Sequence, residues 1–358
     1  MSIKVKQELD PIYETILLLN QCYDLDRYKA NVIEELNERG FQGEEFYQRH
    51  FKLQEKYLRA FQKNQVISDG DDFYFKDTST DFFISFITPF LLDINFVNCV
   101  SDYTDSQILS FILSNSNEIL EDNVSDIINL SYEDFLKVDQ LTNFIHRFDI
   151  KENEKWKMLL IFQNLKYHYC NFAEIIKRNL PAFEKAIELI QPSFHKLTEQ
   201  YKKRFDTEDK VEEFLKKYNI DLCDINEVIP TLASATGIVI MANTCHIGFL
   251  VEKAMDEVGL SNSEDEYLIT CLKALSDSSK LEILATLKKC PRYATELAKQ
   301  LSLTTATVSH HMNTLMITQM VFIEKENGKY YYHINEETLK NIINLLQNKL
   351  LNRTIEIQ

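Results

Sequence analysis

The sequence predicts a mostly α-helical chain in two parts. A large helical N-terminal domain carries a small β-hairpin near its end; a C-terminal domain of short helices is closed by a second hairpin and a last helix. Three observations lead there. Only 7 Gly and 6 Pro punctuate the 358 residues, so helices are rarely interrupted. Apolar residues recur at three- and four-residue steps through most of residues 3–220, as in Ile12, Ile16, Leu19 and Tyr23. The small, acidic run from Gly259 to Glu266 then divides the chain into residues 1–262 and 263–358.

Within the first part, Val32 and Leu36 continue the helical spacing up to Gly40, and Ser68 to Asp72 reads as a polar loop. Residues 82–100 are strongly apolar around Pro89 and read as a buried, kinked helix. Phe162, Leu165, Tyr169 and Phe172 share one stripe, and Ile187, Ile190 and Phe194 share another across Pro192. The Lys/Glu-rich stretch 202–217 reads as a solvated helix. Gly237–Ala242 and Ile247–Val251 flank Asn243 to His246, which predicts a β-hairpin with a solvent-exposed turn. Cys245 and His246 alone cannot hold a metal, since two adjacent ligands leave the coordination shell open. Aromatic residues are frequent (23 Phe, 17 Tyr), and groups such as Tyr167, Tyr169 and Phe172 read as core filling rather than pocket lining.

Several classes are excluded as expectations. No window holds 18 uninterrupted apolar residues, so no membrane span is expected. The start MSIKVKQELD lacks a basic-then-apolar leader, and seven scattered cysteines suggest reduced thiols, hence a cytoplasmic protein. No phosphate loop, HExxH, GxSxG or Cys/His cluster occurs, so neither an enzyme nor a cofactor is expected. For residues 1–262 this leaves a domain that senses a small-molecule effector or braces a dimer, or one that meets a protein partner.

The C-terminal part is more explicit. Leu268, Leu272 and Leu275 stripe a first helix. Asp277-Ser278-Ser279 can cap a second, Ser279 and Glu282 fit a capping box, and Leu281, Leu284, Ala285 and Leu287 are expected inward. Ala294, Leu297, Ala298 and Leu301 define a third helix. After Ser302-Leu303, Thr304 can cap a fourth helix from Thr305 to about Met316, with Val308, Met312 and Leu315 on its packed face. Two short helices joined by a tight polar turn are helix-turn-helix geometry. The second helix offers Thr305, Thr307, Ser309, His310, His311 and Asn313 to base edges or phosphates. Strands at 321–325 and 329–333 follow, joined through Glu326-Asn327-Gly328; Asn-Gly is the strongest short hairpin signal. Lys325, Asn327 and Lys329 then sit at the tip of a wing. Leu339, Ile342, Ile343, Leu346 and Leu350 stripe a last helix, more apolar surface than one domain needs, which suggests a dimer face.

The ordered set resembles the ArsR-type (arsenical-repressor-like) winged-helix family over about 85 residues. It comprises Ser276-Asp-Ser-Ser-Lys-Leu-x-Ile-Leu284, Glu296-Leu-Ala-x-x-Leu301, Thr307-Val-Ser-His-His-x-x-x-Leu315 and Gly328-Lys-Tyr-Tyr-Tyr332. The resemblance implies an α-α-α-α-β-β-α domain, a homodimer formed through its first and last helices, and binding to palindromic double-stranded DNA as a transcriptional regulator. The alternative is a winged helix used for protein interaction or for regulating an N-terminal activity. Metal-sensing members carry cysteines on the third helix or Asp/His ligands on the last. Here Tyr293 to Ala298 contains no cysteine and residues 336–351 contain no histidine, so metal sensing does not carry over.

Charge qualifies the picture. Over residues 263–358, 11 Lys/Arg balance 11 Asp/Glu, so residues 1–262 carry the whole net charge of -16. The acidic part is expected to face away from DNA or toward a protein partner. His310 stands where the family usually has Arg, and residues 300–324 hold no Lys or Arg. DNA affinity is therefore expected to lean on the wing, the recognition-helix N-terminus, and Lys280, Lys288, Lys289 and Arg292. His310 either makes affinity pH-sensitive or serves as a neutral hydrogen-bonding residue.

Overall fold

The computed structural model describes residues 3–38, 41–115, 127, 130–148, 150–217, 225–241, 243–254, 264–301, 303, 305–326 and 329–351. At 38, 217, 264–266, 305–306, 309–310, 313, 317, 325–326 and 329–330 only the backbone is described. The elements begin with β1 (Lys4–Val5), α1 (Pro11–Tyr23), α2 (Leu25–Glu38), α3 (Gly43–His50), α4 (Lys52–Asn64), α5 (Asp72–Phe75), α6 (Thr80–Leu92) and α7 (Phe96–Cys99). They continue with α8 (Asp105–Ser114), α9 (Tyr132–Phe135), α10 (Val138–Ile145), α11 (Glu152–Gln163), α12 (Leu165–Arg204), α13 (Glu208–Lys217), β2 (Glu227–Thr231), β3 (Ile238–Met241) and β4 (Thr244–Gly248). The remainder are α14 (Glu264–Leu275), α15 (Ser278–Leu287), α16 (Ala294–Leu301), α17 (Thr305–Ile317), β5 (Val321–Glu326), β6 (Lys329–Ile334) and α18 (Glu336–Leu350). The mostly α class holds.

The chain separates into two compact units that are discontinuous in sequence. One comprises residues 1–30, 48–208 and 224–249; the other comprises 31–47, 209–223 and 250–358. The sequence-based division is a single cut after residue 262, and the acidic run around it lies largely outside the described residues.

In the first unit the long helix α12 packs on α1 and α4. Asp10 starts α1, its side chain accepting the Ile12 and Tyr13 N–H groups, with Pro11 in the first turn where no N–H is needed. Tyr74, Phe86, Phe90, Tyr169 and Phe172 interlock at ring-centroid separations such as 5.0 Å (Phe86–Phe172) and 5.5 Å (Phe90–Tyr169). Each such pair adds about 0.5–1.5 kcal/mol beyond the apolar area it buries. Tyr169 and Phe172 thus fill core as expected, whereas Tyr167 is exposed. Pro89 sits inside α6, and the apolar run then bends by 88° into residues 96–102. Among the described residues no single helix is long and apolar enough to cross a membrane.

Three sequence expectations change. The hairpin near 240 is part of a four-stranded sheet ordered β1-β2-β4-β3, with β1, β2 and β4 parallel and β3 antiparallel to β4. Cys245 and His246 are not in an exposed turn: both lie in β4, 0% and 2% exposed, and the His246 ring stacks on Tyr13 at 3.6 Å. Residues 202–217 are not one solvated helix, because α12 ends at Arg204 and α13 buries Val211, Phe214 and Leu215 completely. The charged residues there concealed an i, i+3, i+4 apolar stripe.

Candidate nucleic-acid interface

The second unit has its own core, built from Leu268, Cys271 and Ala274 of α14, Ile283, Leu284 and Leu287 of α15, Ala294, Leu297 and Ala298 of α16, Val308, Met312 and Leu315 of α17, and Ile342 of α18. On helix α15 Leu284 and Leu287 are buried as expected, but Leu281 and Ala285 are exposed, and Ile283 and Thr286 take the inward positions instead. Its cap is Asp277, whose Oδ1 accepts the Lys280 N–H at 3.0 Å. This lies two residues before the Ser279 box.

Helices α16 and α17 pack directly on each other. Val308, Met312 and Leu315 form the fully buried stripe of α17. With 3.6 residues per turn, positions 306, 310 and 313 fall across the helix axis from that stripe, position 309 lies on one flank of it, and Thr305 opens the helix. Thr307 and His311 are half-buried on the remaining flank, beside the buried Thr314. The helix closes on Gln319, a non-glycine residue at φ 57°, with the Met320 N–H returning to the Leu315 carbonyl at 2.9 Å. Thr318 Oγ1 donates to the Thr314 carbonyl, and Tyr267 of α14 donates to the Thr318 carbonyl at 3.3 Å. The end of this helix is therefore held by its own last turn and by α14.

The wing is the antiparallel pair β5–β6, in which Lys325 faces Tyr330 and Glu326 faces Lys329 in register. Arg292 adds a rung: its N–H reaches the Tyr332 carbonyl at 3.3 Å, and the Tyr332 N–H reaches its carbonyl at 2.8 Å. The Phe322 and His333 rings stack across the ladder at 5.1 Å, and His333 Nε2 lies 3.5 Å from Glu324 Oε2. Thr304 and the Asn327-Gly328 turn fall outside the described residues.

The structure thus brings the backbone positions of Thr305, Thr307, Ser309, His310, His311 and Asn313 together on one helix, and those of Lys325 and Lys329 onto the two wing strands. Lys288 and Lys289 are exposed and Arg292 is half-buried beside Glu296. Lys280 is the exception among the expected contacts. It is 7% exposed, and its ammonium sits 3.4 Å from Asp277 Oδ2 instead of facing solvent. Partial burial pushes the Asp277 carboxyl up, yet the Lys280 N–H, the Lys280 ammonium and His311 outweigh it and hold the group below the usual carboxylate range. An Asp-x-x-Lys spacing at a helix start was the available signal for this pair. Among the described residues no three His, Cys, Asp or Glu side chains converge as a metal-binding group.

Residues 277–317 match the family described as "Bacterial regulatory protein, arsR family". The arsenical resistance operon repressor of Staphylococcus aureus is 40% identical over 76 residues, covering 21% of this chain and 73% of the relative. Its counterpart in Staphylococcus xylosus is 39% identical over 72 residues, covering 20% and 69%. The transcriptional repressor SdpR of Bacillus subtilis is 29% identical over 76 residues, covering 21% and 84%. No solved structure matches the chain.

Proposed function

Because the chain belongs, through its C-terminal unit, to the arsR family of bacterial regulatory proteins, we propose that this DNA-binding transcriptional regulator is a cytoplasmic, homodimeric repressor of operator DNA. The observation that carries the reading is α17, one face of which is buried by Val308, Met312 and Leu315 while the positions opposite hold His310 and Asn313 and a flanking position holds Ser309. Thr304, Thr305, Thr307, Ser309, His310 and Asn313 would enter the major groove, with Lys325, Asn327 and Lys329 meeting the backbone beside it. Dimerisation is supported by α14 and α18, which pack together and leave Ile269, Leu272, Ile343 and Leu350 exposed. The first unit, without any assigned chemistry, would receive a small-molecule or protein effector.

The test is binding of the full-length protein to duplexes from its own upstream region over a salt series. Sequence-selective binding that weakens steeply with salt is expected, with a log–log slope of about −0.9 per phosphate contacted. Ser309→Glu should abolish selective binding with unchanged thermal stability. Absence of selective binding at low salt, or intact binding by Ser309→Glu, overturns the reading.

A further inference from the structure

We propose that Gln21 and Gln54 of the first unit form a binding site for a small molecule carrying a primary ammonium, whose N–H groups are held by the two side-chain amide oxygens. The inference rests on the reading of that unit as the receiver of an effector and gives the effector a chemistry.

The site is built around one peptide carbonyl. Gln21 on α1 and Gln54 on α4 both donate their amide nitrogens to the Ala233 carbonyl oxygen, at 3.0 and 3.1 Å, and Gln54 also reaches the Leu232 carbonyl at 3.0 Å. Turning either amide round would set its oxygen against a carbonyl oxygen, so both orientations are fixed. Gln21 Oε1 and Gln54 Oε1 are left sealed from solvent with no hydrogen-bond donor among the described residues. The Gln54 residue is 2% exposed, and the Tyr28 phenol, 3.2 Å away, meets its amide nitrogen and leaves the oxygen open. A buried acceptor without a donor is costly, and here two of them flank a single carbonyl.

The place in the fold is one that receives ligands. Ala233 follows directly on β2, and β1 and β4 run parallel to β2 on either side. Open α/β sheets bind ligands outside the carboxyl ends of such strands. The turn is also held where it is and cannot close on the amides. Glu14 of α1 accepts the Leu232 and Ala233 N–H groups at 2.9 and 3.0 Å, and Gly248 abuts the Ser234 and Ala235 carbonyls.

The chemistry of the occupant follows from what the two side chains lack. Both open groups are acceptors, so the ligand must donate. Residues 1–262 carry the whole negative charge of the chain, which favours a cation over an anion. An ammonium offers three N–H donors, enough to satisfy both oxygens at once. Gln21 is half-buried and marks the side from which the ligand enters.

The experiment uses the full-length protein and two probes of equal charge, methylammonium chloride and tetramethylammonium chloride, at fixed ionic strength. Only the first has N–H groups. A ligand of two heavy atoms binds at best in the millimolar range, so each probe is titrated to about 100 mM. Methylammonium is expected to raise the thermal midpoint saturably by about 2 °C or more, and tetramethylammonium to leave it unchanged. Gln21→Leu and Gln54→Leu should each raise the half-saturating methylammonium concentration by about tenfold. The half-buried Gln21 provides the variant that keeps the fold should Gln54→Leu lose it. An equal response to both cations, no response, or a wild-type response in Gln21→Leu overturns the site; two oxygens satisfied by water alone give no response. Affinity for an upstream-region duplex in saturating methylammonium separates the two failures. If it is unchanged while methylammonium still binds through Gln21 and Gln54, the effector reading fails and the site stands.

Discussion

The Glu14 carboxylate on α1 accepts the Tyr57 phenol of α4 at 2.8 Å, and both side chains are completely buried. The same carboxylate holds the turn after β2: Oε1 accepts Thr231 Oγ1 and the Leu232 N–H at 2.6 and 2.9 Å, and Oε2 accepts the Ala233 N–H at 3.0 Å. Burial pushes the Glu14 carboxyl up, opposed by these four donors. In either protonation state each oxygen can accept a backbone N–H, which an amide nitrogen cannot do. Glu14→Gln, although nearly isosteric, is therefore expected to lower stability by about 2–3 kcal/mol, and Tyr57→Phe by about 1 kcal/mol. Urea unfolding checks both values, and a neutral Glu14→Gln would contradict the arrangement.

The turn that Glu14 holds is also closed from the far side. A Cβ on Gly248 would lie 2.2 Å from the carbonyl oxygens of both Ser234 and Ala235, which are backbone atoms with no rotamer to change. Gly248→Ala should cost about 2–3 kcal/mol by displacing that turn, measurable as a lower thermal midpoint. An unchanged midpoint would mean that the turn yields freely.

Acid should weaken the first unit through two histidines. Burial pushes His168 and His246 down to about 4, with Lys6 adding to the effect at His246. Below the ordinary histidine value near 6.5 the unfolded chain binds protons that the folded chain refuses. Stability is thus fully present above pH 6.5 and falls as the pH drops toward 4, by at most about 3 kcal/mol per histidine. Denaturant midpoints between pH 7 and pH 4 test this. His246→Phe, which keeps a ring against Tyr13, should flatten the profile, and an equally steep profile would exclude His246 as its source.

What was legible in the sequence was local. The C-terminal unit declares itself because each boundary is set by neighbouring residues: α17 starts at Thr305, the wing strands start at Val321 and Lys329, and Asn335 caps α18 through the Thr338 N–H. The sheet of the first unit was not legible beyond its hairpin. Strand β1 pairs with β2 across more than two hundred residues, and Pro230 inside β2 argues against a strand on local grounds. The burial of Lys280 was hidden for a similar reason: Asp-x-x-Lys reads as a solvated pair, and only the packed domain leaves its side chain 9% exposed.

Gln319 offers a gain instead of a loss. It ends the recognition helix at φ 57°, a conformation in which side-chain-bearing residues are strained and glycine is not. Gln319→Gly should stabilise the unit by up to about 1 kcal/mol, the relief of that strain being partly offset by greater freedom in the unfolded chain. Thermal unfolding decides the sign, and a lower midpoint would show that the Gln319 side chain supports the fold.

The proposed dimer rests on apolar residues that the folded chain leaves uncovered. Ile343 of α18 is 53% exposed and Leu272 of α14 is 38% exposed, each on a helix whose other face is packed into the core. A glutamate at position 343 meets solvent in a monomer at little cost, but in an interface between two copies it would be buried without a partner. Ile343→Glu should accordingly convert the protein to a monomer by sedimentation while leaving its thermal unfolding cooperative. Selective DNA affinity should fall by about 100-fold or more, since each monomer then meets a single half-site. A variant that remains dimeric would place the interface elsewhere. One that is monomeric yet binds with full affinity would remove the dimer from the mechanism.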